Sequence, residues 1–191
     1  MKILAPILFA ALLLTGCTSV QQSTRVSTPL QAMEFNSIAS RYMVRPTLVA
    51  VEKMSDGATV LLLRMDTYGK NPSMPYGSEL RFSKENVADY IAAIDKYFTW
   101  SAQAKERKDA LTKEITTAPT WGNMAKGALK FTFHSGNDQN HFLMVAFSAA
   151  GTTLEDSALY FDEANAKHLR DVLDGFATGR IGATDTASAY K

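Results

Sequence analysis

Two segments of this chain follow one pattern. LRFSKENVADYIAAIDKYF, starting at Leu80, lies over LYFDEANAKHLRDVLDGF, starting at Leu159, 79 positions later. Both copies open Leu-x-Phe, continue with a capping type of residue (Ser83, Asp162) and place Asn three positions further on (Asn86, Asn165). Apolar residues then recur at three- and four-residue steps: Val87, Tyr90, Ile91, Ile94, Tyr97 and Phe98, against Ala166, Leu169, Val172, Leu173 and Phe176. That spacing lays one apolar stripe along a helix. Ser or Asp in front of it suits an N-cap, whose side chain accepts a hydrogen bond from the first turn. Each copy thus predicts a short strand, a cap and a helix, with helices near 84–105 and 163–177.

Hairpin signals precede each copy. TLVAVEKM and ATVLLLRM flank Ser55-Asp56-Gly57, and Asp-Gly between apolar runs is a strong hairpin cue. Val60–Met65 scarcely alternates, which predicts burial on both faces. In the second half Gly127–Phe133 and His141–Phe147 flank Ser135–Gln139, and Ala158–Phe161 supplies a third strand. The expected fold class is α+β: two tandem β-β-β-α units, forming antiparallel sheet packed by two helices about a pseudo-two-fold axis. One domain over 30–178 follows, with halves at about 45–108 and 125–178. Strands followed by one helix, twice, is similar in topology to the Whirly type of single-stranded-DNA-binding fold. Leu30, Met33, Ile38 and Tyr42 in the preceding Pro29–Tyr42 segment are compatible with a loosely spaced helix.

The amino terminus indicates location. Lys2 precedes an apolar run, Ile3–Leu14, too short for a bilayer-spanning helix, which needs about 20 residues. It reads as the apolar core of a secretory signal peptide over residues 1–16. Leu14-Thr15-Gly16-Cys17 resembles the lipobox of bacterial lipoproteins. The resemblance implies a diacylated Cys17 as the mature amino terminus, and Thr18 in place of Asp implies passage to the outer membrane, facing the periplasm. A thiolate suits this role because it is the strongest nucleophile among side chains near neutral pH. The chain has one Cys, so no disulfide forms within it. Residues 17–29 read as lipidated Cys plus flexible tether, and 179–191 as a disordered tail.

Removing residues 1–16 deletes Lys2 and no acid, leaving 19 basic and 19 acidic groups. That balance excludes the basic excess of a nucleic-acid binder. No nucleophile elbow, zincin helix, phosphate loop or dinucleotide fingerprint is present. His134 and His141, with Asp138 near, close the second hairpin. Facing each other they set Phe133 opposite Phe142 and Phe131 opposite Met144 on the inner face, with Leu143, Val145 and Phe147 outside. Two histidines without a third ligand do not define a metal centre. The expectation is therefore no catalytic, cofactor or metal residue, and an accessory or assembly factor that binds another envelope protein. The loop bearing Tyr68, Met74 and Tyr76 is a candidate partner contact. The alternative is a lipid or amphiphile carrier that uses a surplus apolar sheet surface.

Overall fold

The computed structural model describes residues 18–67, 77–121 and 127–182. Cys17, the signal segment, the loop with Tyr68, Met74 and Tyr76, and residues 183–191 lie outside the described residues. In chain order the strands are β1 (Val20–Arg25), β2 (Met33–Asn36), β3 (Arg41–Val44), β4 (Thr47–Met54), β5 (Thr59–Met65) and β6 (Ser78–Ser83). After helix α1 (Val87–Arg107) come β7 (Thr112–Thr120), β8 (Gly127–Ser135), β9 (His141–Ala149), β10 (Thr152–Thr153), β11 (Leu159–Phe161) and helix α2 (Glu163–Ala177).

The strands form two antiparallel sheets. The smaller has the order β1-β4-β5-β6; the larger has β3-β2-β11-β9-β8-β7, with β10 beside β9. The β4–β5 turn is made by Asp56 and Gly57: Gly57 takes φ +88°, and the Asp56 side chain accepts the Ala58 N–H at 2.9 Å. Glycine carries no steric penalty in that left-handed region. As the missing alternation predicted, Val60, Leu61, Leu62, Leu63 and Met65 of β5 are all buried.

Both helices pack into one core with the inner faces of the two sheets. Positions 79 apart are buried together: Leu80 and Leu159, Phe82 and Phe161, Tyr90 and Leu169, Ile94 and Leu173, Tyr97 and Phe176. The helix faces therefore lie where the stripe put them. Asp162 caps α2, its carboxylate accepting the Asn165 N–H at 2.9 Å. Ser83 does not cap in this way. A 3₁₀ turn over Lys84–Asn86 leads into α1, and the Ser83 N–H is directed to the Tyr90 hydroxyl at 3.3 Å.

Four further expectations are corrected. Within the stretch read as a tether, Val20–Arg25 is an edge strand paired with β4. Pro29–Tyr42 contributes no helix; Met33–Asn36 and Arg41–Val44 form a hairpin that extends the large sheet. Residues 179–182, read as tail, close α2: Gly179 has φ +78°, and Ile181 N–H bonds the Gly175 carbonyl at 2.8 Å.

The fourth correction is the β8–β9 register. Ser135 pairs with His141, His134 with Phe142 and Phe133 with Leu143, one residue away from His134 opposite His141. A slip of one residue exchanges the faces of a whole strand. Leu143 and Val145 therefore enter the core with Phe131 and Phe133, while Phe142 and Met144 move to the outer face. The loop sets this register: Gly136 N–H reaches the Asn140 carbonyl at 2.8 Å, and Asn137 Oδ1 accepts the Gln139 and Asn140 N–H groups.

Candidate functional site

Because both helices lie on the inner side, the outer face of the large sheet has none over it among the described residues. Cross-strand partners share a face, so the register assigns this surface. Strand β8 contributes Lys130, Thr132 and His134, and β9 contributes Phe142 and Met144 opposite them. Tyr160 of β11 joins through its pairing with Met144 and Met33. The β2–β3 hairpin adds Phe35 opposite Tyr42 and Met33 opposite Val44. Phe35 and Val44 are 49% and 45% exposed.

Tyr42 is the centre of the surface. Its ring centroid lies 4.2 Å from Phe142, 4.8 Å from Tyr160 and 5.2 Å from Phe35. Its hydroxyl meets His134 Nε2 at 2.6 Å, and His134 Nδ1 meets Thr112 Oγ1 at 3.0 Å. Burial, reinforced by the neighbouring Tyr160, pushes the Tyr42 phenol up to about 12. Burial also raises Tyr160 and lowers the His134 imidazole. At neutral pH the cluster therefore holds two protonated phenols and a neutral imidazole.

Beside it is a groove of about 440 Å³, lined in part by Thr112, Thr132, His134, Met144 and Tyr160. Lys130, also on its wall, is held between Glu114 at 3.8 Å and Glu155 at 3.7 Å. Thr132 is 5% exposed, and its Oγ1 has no hydrogen-bond partner among the described residues.

The two histidines are kept apart. His134 lies on the outer face, whereas His141 is buried against Phe133 (centroids 5.2 Å) with Nδ1 at 2.8 Å from Ser135 Oγ. Among the described residues no group of three or more His, Cys, Asp or Glu side chains is placed to hold a metal ion. Thr112–His134 and Ser135–His141 are each hydroxyl–imidazole pairs. In the Ser-His-Asp template a third group orients the imidazole and stabilises the imidazolium. The other nitrogen of His134 faces a phenol, and that of His141 has no hydrogen-bond partner among the described residues. What this surface offers is aromatic contact and hydrogen bonding.

Cys17, Tyr68, Met74 and Tyr76, the residues chosen from sequence, lie outside the described residues. The structure instead brings forward Tyr42, Phe35, Phe142 and Tyr160. A period-two reading of MEFNSIASRYMV, with Met33 and Phe35 before a turn and Tyr42 and Val44 after it, carries that signal. Among known proteins, no family model and no curated protein matches the chain.

Proposed function

We propose that this chain is a lipoprotein acylated at Cys17, held at the outer membrane facing the periplasm. Its domain acts as a non-catalytic accessory or assembly factor and docks another envelope protein on the outer face of the large sheet. The observation that carries this reading is that face, which no described helix covers and where exposed Phe35 and Val44 flank the aromatic group around Tyr42. Aromatic residues and Met are enriched at interface centres. The Tyr68–Tyr76 loop is a second proposed contact.

The carrier reading needs an apolar cavity. Among the described residues, Phe82, Tyr90, Tyr97, Phe131, Phe133, Phe161 and Phe176 pack between the sheets and helices, each under 2% exposed, which favours the docking factor. We also infer that the halves descend from one β-β-β-α unit; the joint burial of positions 79 apart supports this.

A photo-crosslinking residue at Phe35 in intact cells is expected to capture the same envelope protein as one at Val44. The yield falls when Tyr68–Tyr76 is replaced by a Gly/Ser loop, and exposed Lys167 on α2 captures none of that protein. Identical capture from Phe35 and Lys167 would sink the docking face. Intact mass of detergent-extracted protein tests the anchor separately, and an unmodified chain retaining residues 1–16 overturns it.

A further inference from the structure

Ser19 is fastened to the turn of the β4–β5 hairpin. Its N–H donates to Ser55 Oγ at 2.9 Å, its carbonyl accepts the Ser55 N–H at 2.8 Å, and Val20 pairs with Met54. Cys17 is two residues upstream, and two trans peptide units reach at most about 7.6 Å. An acyl group carried at Cys17 would therefore join the chain two residues from this fastened strand start.

The same end of the domain carries Trp121, whose indole N–H donates to Asp56 Oδ2 at 3.1 Å. A groove of about 360 Å³ lies there, lined by Gly57, Lys84 and Trp121 among others. The charged residues lining it, Lys84 and Glu85, are exposed and of opposite sign, and Arg81 lies 5.6 Å from the Trp121 ring. Indole rings favour the headgroup layer because they pair an apolar body with one N–H donor. The chain's other tryptophan is at the opposite end: Lys113 Nζ, at the start of β7, lies 5.3 Å from the Trp100 ring, and the last residue of β7 precedes Trp121. At about 3.3 Å per residue, β7 separates these two poles by about 25 Å.

We propose that the pole formed by the β4–β5 turn and Trp121 is apposed to the lipid headgroups of the membrane that holds the anchor. This rests on the reading of Cys17 as acylated. The arrangement points the opposite pole outward, with Trp100 and, through the pairing of Thr112 with His134, the Tyr42–His134 contact. The docking face is thus presented to the periplasm and kept clear of the bilayer.

The two tryptophans serve as probes. The full chain, extracted in detergent, is reconstituted in phosphatidylethanolamine–phosphatidylglycerol vesicles containing headgroup spin-labelled lipid. Trp100→Phe leaves Trp121 as reporter, and Trp121→Phe leaves Trp100. Quenching is expected to be several-fold stronger for Trp121; equal quenching, or stronger quenching of Trp100, overturns the proposal. The unsubstituted chain gives a second reading. Hydrogen exchange at Gly57–Thr59 slows on moving from detergent to vesicles while Gly136–Asn140 is unchanged, and no slowing at Gly57–Thr59 counts against apposition. Flotation and intact mass read the anchor itself. An acylated, floating chain with unquenched Trp121 refutes the orientation alone, whereas an unacylated chain that does not float refutes the anchor.

Discussion

Tyr42 and His134, 92 positions apart in the chain, meet at 2.6 Å between the phenol oxygen and Nε2. Three strands, β2, β11 and β9, stand between their own in the order of the large sheet. Contact across such a distance requires the β2–β3 hairpin to curl over the outer face, bringing the Tyr42 ring against Phe142. Because β11 pairs with β2 at a single position, Tyr160 with Met33, the aromatic group is a main fastening of that hairpin.

Tyr42→Phe keeps the rings in place and removes the hydroxyl bond, at an expected cost of about 1 kcal/mol. Tyr42→Ala also removes the ring contacts and costs about 2–3 kcal/mol, below a full core truncation because the site is half-buried. Hydrogen exchange resolves where the loss falls: Glu34–Val44 amides speed up in both variants while α1 stays protected. Uniform loss of protection across the domain would reject the fastening role.

Burial holds the imidazoles of both His134 and His141 below the ordinary 6.5, and for His141 the Lys105 ammonium adds to the effect while Asp138 opposes it. The unfolded chain then binds protons more readily than the folded one as pH drops through 6.5. Stability from these groups is complete above that value, and it declines until the lower folded values are passed. Urea midpoints should fall between pH 7.5 and pH 5, and a His134→Gln/His141→Gln double variant should show a shallower slope. An unchanged slope in that variant would assign the pH dependence to other groups.

The register of β9 can be read from two neighbouring truncations. Leu143 is fully buried in the main core, and Met144 is 7% exposed on the outer face. Leu143→Ala is expected to cost about 3–4 kcal/mol and Met144→Ala about half that. Denaturant unfolding of the two variants decides it, and the reverse order would restore the pairing of His134 with His141.

Local signals were legible in the sequence, and distant partners were not. Asp56-Gly57 encodes its hairpin by backbone preference, and the stripes from Val87 and Ala166 encode helices because spacing is a property of the segment itself. Strand β1 was missed because Gln21, Gln22, Ser23 and Thr24 suit a solvated edge and its ladder partner β4 lies some thirty residues away. Strands β2 and β3 were missed because Leu30, Met33, Ile38 and Tyr42 imitate a helical spacing. The turn between them instead rests on Asn36 accepting the Ala39 N–H and on Ser40 at φ +50°. The β9 register was misread because HFLMVA is buried throughout, leaving no alternation to choose a face. The site itself depends on a contact spanning 92 positions, which no window of sequence contains.

Gly77 has φ +83°, and a Cβ there would collide with the Met65 carbonyl oxygen. Gly57 has a similar φ but open space around it. Gly57→Ala should therefore cost about 1 kcal/mol, the left-handed penalty alone. Gly77→Ala should cost at least twice that and disturb the pairing of Met65 with Ser78. Equal urea midpoints for the two variants would show that the backbone at Gly77 relaxes.

Glu52 on β4 is 5% exposed, with Arg81 Nε of β6 at 3.3 Å; Arg81 also bonds Glu79 at 3.1 Å, and Glu79 takes Arg64 at 2.5 Å. Removing one member of a buried pair leaves an uncompensated charge, whereas removing both exchanges the pair for apolar packing. Arg81→Leu is expected to cost about 3 kcal/mol, the low end of the range because the guanidinium is partly exposed. Glu52→Leu/Arg81→Leu should cost less than Arg81→Leu alone, since the buried carboxylate is gone. A double-mutant cycle measures the difference by urea unfolding. Simple additivity of the two substitutions would show that Glu52 finds its compensation elsewhere, and would remove the ion chain from the account of how β4 and β6 are held across β5.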